Sequence, residues 1–66
     1  MDQKIRLQQG TEVTVIFMGQ QLRQRVWTDL ETFILVCSDE EYQHALAEQR
    51  EATCSGVLRE NIVEIH

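Results

Sequence analysis

Apolar and polar residues alternate along the first half of the chain in a way that predicts a three-stranded antiparallel meander. Thr11 to Met18 is rich in β-branched and aromatic residues, with Val13, Val15 and Phe17 on one face. Gly19-Gln20 follows, and a glycine at the first position of a two-residue loop favours a type II′ hairpin. The returning strand, Gln21 to Trp27, and a third strand, Thr32 to Cys37, complete the meander.

The second half of the chain carries a helix signal and then the pattern of short strands. Ser38-Asp39-Glu40-Glu41 matches a capping box, in which the Ser38 hydroxyl accepts from the Glu41 amide and the Glu41 carboxylate reaches back. The helix should extend to Gln49 or Arg50, and its narrow apolar stripe predicts that it covers an edge or open end of the sheet. We expect a turn or bulge at Gly56 and one or two final strands, from the apolar residues Val57, Leu58, Ile62, Val63 and Ile65.

The segment from Gly56 to Ile65 resembles the closing segment of Src homology 3-like barrels. That segment has a glycine, two apolar strand residues, one helical turn containing asparagine and a last strand. In the family this turn carries a proline and a tyrosine that bind proline-rich peptides, and the matching positions here are Arg59 and Ile62; only Asn61 agrees. The resemblance therefore implies the barrel and not its peptide site.

These observations predict a mainly β fold, namely a small Src homology 3-like barrel or bent antiparallel sheet with one helix before the last strands. The alternative is an α+β fold, an open antiparallel sheet with one packed helix. Residues 1–10 form a lead-in or edge strand, and residues 11–66 form a single small β-rich domain. The chain has 66 residues, which leaves room for one domain only.

The charge is acidic overall, with a net value of −5, and it is unevenly distributed. Residues 1–28 hold four basic and two acidic side chains, whereas residues 29–66 hold two basic and nine acidic ones. An acidic total opposes binding to phosphate backbones, so nucleic acid is not the expected partner. The asymmetry allows weak self-association between the two halves of different copies.

The cysteines and histidines give little sign of chemistry. Two cysteines are too few for the disulfide framework of a secreted domain, and no leader pattern precedes them, which favours a cytoplasmic protein. No apolar run approaches the length of a membrane helix, so no membrane role is expected. A zinc site would need four ligands that lack the usual paired spacing: Cys37, His44, Cys54 and His66.

Catalysis at Cys37 is not expected, because the acidic residues after it oppose a thiolate. We therefore predict no metal, no cofactor and no enzymatic activity.

One strand face is the candidate binding surface. Gln21, Arg23, Arg25 and Trp27 alternate with inward-facing residues, and an exposed tryptophan beside guanidiniums is typical of protein contacts. The competing interpretation places Trp27 in the core, moved under the helix by a bulge or a twist, with the arginine stems over its edge. We expect a protein-interaction or regulatory module, and the alternative is a nucleic-acid-binding module that uses the same basic and aromatic face.

Overall fold

The computed structural model describes residues 6–66, which form five antiparallel strands and one α-helix. The elements in chain order are β1 (Glu12–Phe17), β2 (Gln20–Asp29), β3 (Phe33–Cys37), α1 (Asp39–Glu48), β4 (Ser55–Leu58), a 3-10 helix (Arg59–Asn61) and β5 (Ile62–Ile65). The strands lie in the order β4-β3-β2-β1-β5 in one sheet. The prediction of a mainly β meander, a helix and two short closing strands is confirmed.

The sheet curls into a half-barrel, which is the bent form of the predicted sheet. Its edge strands β4 and β5 are joined directly by the 3-10 helix, but among residues 6–66 they do not pair with each other. The concave face encloses the main core, which contains Val13, Val15, Val26, Ile34, Val36 and Val57. Leu7, from the lead-in, and Ile62 pack against this core.

The β1–β2 hairpin turns one residue earlier than the sequence predicted. Phe17 pairs with Gln20, so the loop residues are Met18 and Gly19, and both have positive φ, 52° and 78°. Two positive φ values define a type I′ turn, and the predicted type II′ turn at Gly19-Gln20 is wrong. The observed register places Val15 opposite Leu22 and keeps both on the concave face, which a slip of one residue would prevent.

Helix α1 begins as predicted, but it packs elsewhere. Ser38 Oγ accepts from the Glu41 amide at 3.0 Å. The second half of the predicted capping box, in which the Glu41 carboxylate reaches back, is wrong. That carboxylate accepts hydrogen bonds from Arg50 and from the Thr53 amide instead, and the bond from Arg50 is charge-assisted. The helix lies across the convex face of the sheet, with Ala45 fully buried, and does not cover an edge.

Gly56 lies inside β4, opposite Leu35, so the predicted turn or bulge is wrong. The Phe33 ring packs over this position, and a Cβ on Gly56 would lie 3.3 Å from it. The missing side chain of Gly56 therefore leaves room for the Phe33 ring, and the glycine does not bend the chain. In the lead-in, residues 6–10 contain no strand, and residues 1–5 lie outside the described residues.

Candidate functional site

The arginines of the predicted binding face lie on the convex side of β2, but both are engaged within the chain. Arg23 Nε pairs with Glu12 Oε2 on β1 at 2.9 Å. Arg25 Nε pairs with Asp39 Oδ1 at 2.8 Å, and its Nη1 donates to the Gly10 carbonyl at 2.9 Å. A partner that used these guanidiniums would have to compete with existing carboxylates.

Trp27 does not belong to an exposed surface, and that part of the binding-face hypothesis is wrong. Val26 and Trp27 lie on opposite faces of β2 and are both buried, Val26 in the main core and Trp27 against α1. The β2–β3 register also shifts between Val26 and Thr28. The indole Nε1 donates to Glu51 Oε1 at 3.0 Å, and the ring meets Tyr42 edge to face at 5.8 Å between centroids. The core interpretation, with Trp27 beneath the helix, is confirmed.

Arg25 adds to the same cluster, because its guanidinium lies 5.8 Å from the centre of the Tyr42 ring. Trp27, Tyr42, Cys37 and Ala45 thus form a second, smaller core between the helix and the convex face. Of the four predicted site residues, Gln21 and Arg23 remain exposed, and Arg25 is half-buried.

The other arginines of the described chain are also ion-paired. The pairs beyond β2 are Arg6 with Glu31, Arg50 with Glu41 and Glu48, and Arg59 with Asp29. Every arginine within residues 6–66 therefore has an internal carboxylate partner. Since the net charge is −5, the uncompensated charge of the molecule is negative.

Asp29 is a buried carboxylate that ties three parts of the fold together. Its Oδ2 accepts from the Leu7 amide at 2.8 Å, and its Oδ1 accepts from the Glu31 amide at 2.8 Å and from Arg59 at 2.6 Å. Burial acts to raise the pKa of Asp29, but these hydrogen bonds outweigh it and lower the pKa to about 2. A carboxylate this firmly ionised and fully bonded holds structure and is a poor proton donor.

The residues considered for a metal site do not converge. Cys37 and Cys54 pack in the same cluster, whereas His44 is exposed on the helix and His66 bonds to Thr14 Oγ1 at 2.7 Å. Within residues 6–66, no three side chains of histidine, cysteine or acidic type are grouped to hold a metal ion.

The Cys37 thiol is protonated at neutral pH. Burial, the neighbouring Cys54 thiol and the carboxylates of Glu41 and Asp39 raise the pKa of Cys37 to about 11. The effect of the two carboxylates agrees with the expectation from the sequence.

The concave face opens into an apolar groove at the hairpin end of the half-barrel. The groove has a cavity volume of about 80 Å³ and is lined by Val15, Phe17, Leu22, Gln24, Val36 and Ser55. Drug-sized ligands need enclosed pockets of about 300 to 1,000 Å³, so this open groove suits one or two side chains instead. Phe17 and Leu22 are both more than one-third exposed within it.

A free strand edge runs beside this groove. The pairing of β2 with β3 ends at Arg25, opposite Cys37, so in the described chain residues 20–24 have a strand neighbour on the β1 side only. The Val26 amide and carbonyl bond toward β1, and strand alternation then directs the backbone groups of Gln21 and Arg23 away from β1. The Arg23 carbonyl accepts from the Gln24 side chain at 3.0 Å.

Sequence reasoning missed this groove because its shape depends on where β3 stops. The signal available was the inward face of the hairpin, where Phe17 and Leu22 accompany a polar residue, Gln24.

No protein-family model, curated protein or solved structure matches the chain. No helix within residues 6–66 has the length and apolar character needed to cross a membrane.

Proposed function

We propose that this chain is a protein-interaction module, without catalytic activity, that binds an extended segment of a partner protein along the free edge of β2. The observation that carries the proposal is the apolar groove beside that edge, lined in part by Phe17 and Leu22. An added strand gains main-chain hydrogen bonds from the edge, while a pocket beside it selects side chains.

The register of such a complex follows from the pleat of β2. The backbone groups of Gln21 and Arg23 pair with the incoming segment, and the segment's alternate side chains point toward the concave groove. The small size of the groove, about 80 Å³, favours a single Leu- or Val-sized side chain. The partner segment therefore has apolar residues at every second position over about five residues.

Charge favours a basic partner segment. The arginines of residues 6–66 are all paired internally, and the net charge of −5 gives the molecule a negative field. Such a field attracts cationic segments and repels acidic ones. The same argument weighs against nucleic acid, and against self-association in which Arg23 and Arg25 contact the acidic half of another copy.

The fold proposal is a Src homology 3-like small barrel used as a scaffold. The closing segment supports it, because β4, a 3-10 helix that contains Asn61, and β5 follow each other directly. The family's peptide positions have structural roles here: Arg59 bonds to Asp29, and Ile62 packs on the concave core. The proposed peptide site is therefore a different surface of the barrel.

A cytoplasmic location is also part of the proposal, since two cysteines are too few for the disulfide framework of a small secreted domain.

The experiment is selection of linear peptides from a phage-displayed random library, followed by affinity measurement on matched variants. Leu22→Glu places a charge in the groove, and Leu46→Glu places the same charge on the exposed side of the helix. The two leucines are 38% and 46% exposed, so the two variants introduce the same charge at positions of similar exposure. Both variants are first shown to be folded by circular dichroism and thermal melting.

We expect enriched peptides with alternating apolar residues and net positive charge. Leu22→Glu should weaken their binding at least about tenfold, because a buried contact worth about 1.5 kcal/mol is lost, and Leu46→Glu should change it less than about twofold. Equal effects of the two variants would refute the groove, as would selected peptides that are acidic. Failure to enrich any peptide class would refute the proposed function, and tight binding of single-stranded nucleic acid would establish the alternative.

A further inference from the structure

Cys37, the last residue of β3, and Cys54, the residue before β4, lie just beyond the last pair of the β3–β4 ladder. The register pairs Leu35 with Gly56 and Val36 with Ser55, so the next step along both strands brings Cys37 against Cys54. Residues directly opposite in an antiparallel pair have Cα atoms about 4.5 or 5.5 Å apart. A disulfide needs a Cα separation of about 4.4 to 6.8 Å, so this position meets its main geometric requirement.

The two thiols also share surroundings and interact with each other. Both pack in the cluster that contains Trp27 and Ala45, and both are free thiols in the structure. Cys37 is buried, whereas Cys54 is half-buried, and the Cys54 Sγ donates to the Ala52 carbonyl at 3.4 Å. An oxidant in solution can therefore reach Cys54 before it reaches Cys37.

We propose that Cys37 and Cys54 form a reversible dithiol–disulfide pair, in which Cys54 is the point of attack and Cys37 closes the bond. The oxidant is a small-molecule disulfide of the glutathione class. The reaction joins the end of β3 to the residue before β4 without moving either strand out of register.

The electrons balance in two exchange steps. Cys54 loses its proton to water, and its thiolate attacks one sulfur of glutathione disulfide, which forms a mixed disulfide and releases one glutathione thiolate. Cys37 then loses its proton and attacks Cys54 Sγ, which breaks the mixed disulfide and releases the second glutathione thiolate. Both glutathione thiolates take up protons, so the protein loses two hydrogen atoms and one glutathione disulfide becomes two glutathiones.

The raised pKa values of both thiols make the reaction slow at neutral pH, and the order of attack follows from the greater exposure of Cys54. Burial and the carboxylates of Glu41 and Glu51 raise the pKa of Cys54 and outweigh the lowering effect of its hydrogen bond with the Cys37 thiol. For Cys37, burial and the neighbouring Cys54 thiol both raise the pKa, to about 11. The oxidation rate should therefore increase about tenfold per pH unit near neutral pH, because only the thiolate attacks.

The test is incubation of the reduced, folded protein with glutathione disulfide at about pH 8, followed by acid quench and intact-mass analysis. The variants are Cys37→Ala and Cys54→Ala, each replacing a thiol by a small apolar side chain. We expect the native chain to lose two hydrogen atoms and to regain them with dithiothreitol. Cys37→Ala should accumulate a glutathione adduct at Cys54, and Cys54→Ala should react at least about tenfold more slowly, because Cys37 is buried.

A control with the native chain in guanidinium chloride separates folded geometry from simple proximity in sequence. Unfolding should reduce the equilibrium constant for the internal disulfide on the order of 100-fold, and the oxidised folded protein should melt on the order of 10 °C higher than the reduced one. A persistent glutathione adduct on the native chain, disulfide-linked dimers, or equal yields with and without denaturant would overturn the proposal.

Discussion

Replacement of Asp29 by asparagine removes one charge from a site where the carboxylate has three hydrogen-bond donors. The side chain is 2% exposed, and its donors come from Leu7, Glu31 and Arg59. Asparagine keeps the shape but offers one acceptor oxygen, and its amide group faces a donor. The lead-in, the β2–β3 turn and the 3-10 helix should all lose part of their anchorage.

The magnitude follows from the pKa of Asp29, which is lowered from 3.8 to about 2 in the folded protein. A difference of this size corresponds to about 2 kcal/mol of unfolding free energy. Because the folded pKa is below the unfolded one, this stabilisation is complete well above pH 3.8 and is lost as the pH falls toward 2. A domain of this size has a total stability of only about 3 to 10 kcal/mol.

The assay is urea unfolding of the native chain and of Asp29→Asn at pH 7 and at steps down to pH 2, with Glu60→Gln as the control for an exposed carboxylate. Asp29→Asn should lose about 2 kcal/mol at pH 7, and the difference from the native chain should disappear near pH 2. Glu60→Gln should stay within about 0.5 kcal/mol at every pH. A loss that is the same at pH 7 and pH 2 would show that shape, and not charge, is what Asp29 contributes.

Three further results are expected. Ser38→Ala should lower the unfolding free energy by about 1 kcal/mol in urea, since it removes the cap of α1; an unchanged value would contradict the cap. Gly10→Ala should lower the melting temperature more than Gly19→Ala. Both glycines have positive φ, but only at Gly10 would a Cβ meet the Tyr42 hydroxyl, at 2.6 Å, and equal losses would refute that contact. Trp27 emission should be blue-shifted and resist acrylamide quenching, and a red-shifted, quenchable emission would contradict its burial.

Local signals in the sequence were sufficient to locate the helix and the two strands of the hairpin, although the turn between the strands was placed one residue late and given the wrong type. The Ser38 cap and the β-branched run before Gly19 act within a few residues, so their structures follow from short-range chemistry. Errors arose where distant residues decide the outcome. Glu41 bonds to Arg50 and Thr53, and Gly56 accommodates the Phe33 ring, and neither partner is identifiable from the local pattern.

The candidate site was harder to predict for the same reason. Alternation assigned Trp27 to the outer face, but α1 packs on that face and buries it, and where a helix docks depends on residues distant in the sequence. The pairing of Cys37 with Cys54 depends on the β3–β4 register, which a long connection containing α1 leaves open. The ion pairs of Arg23 and Arg25 likewise depend on which strand and helix lie beside β2.

Amide hydrogen exchange at Gln21 and Arg23, measured with and without a saturating concentration of a selected peptide, tests strand addition at β2 most directly. Both amides point away from β1, and no other strand of residues 6–66 covers them. Binding along this edge should slow their exchange at least about tenfold, while the amides of α1 change little. Unchanged exchange at Gln21 and Arg23 in the fully bound protein would contradict the account.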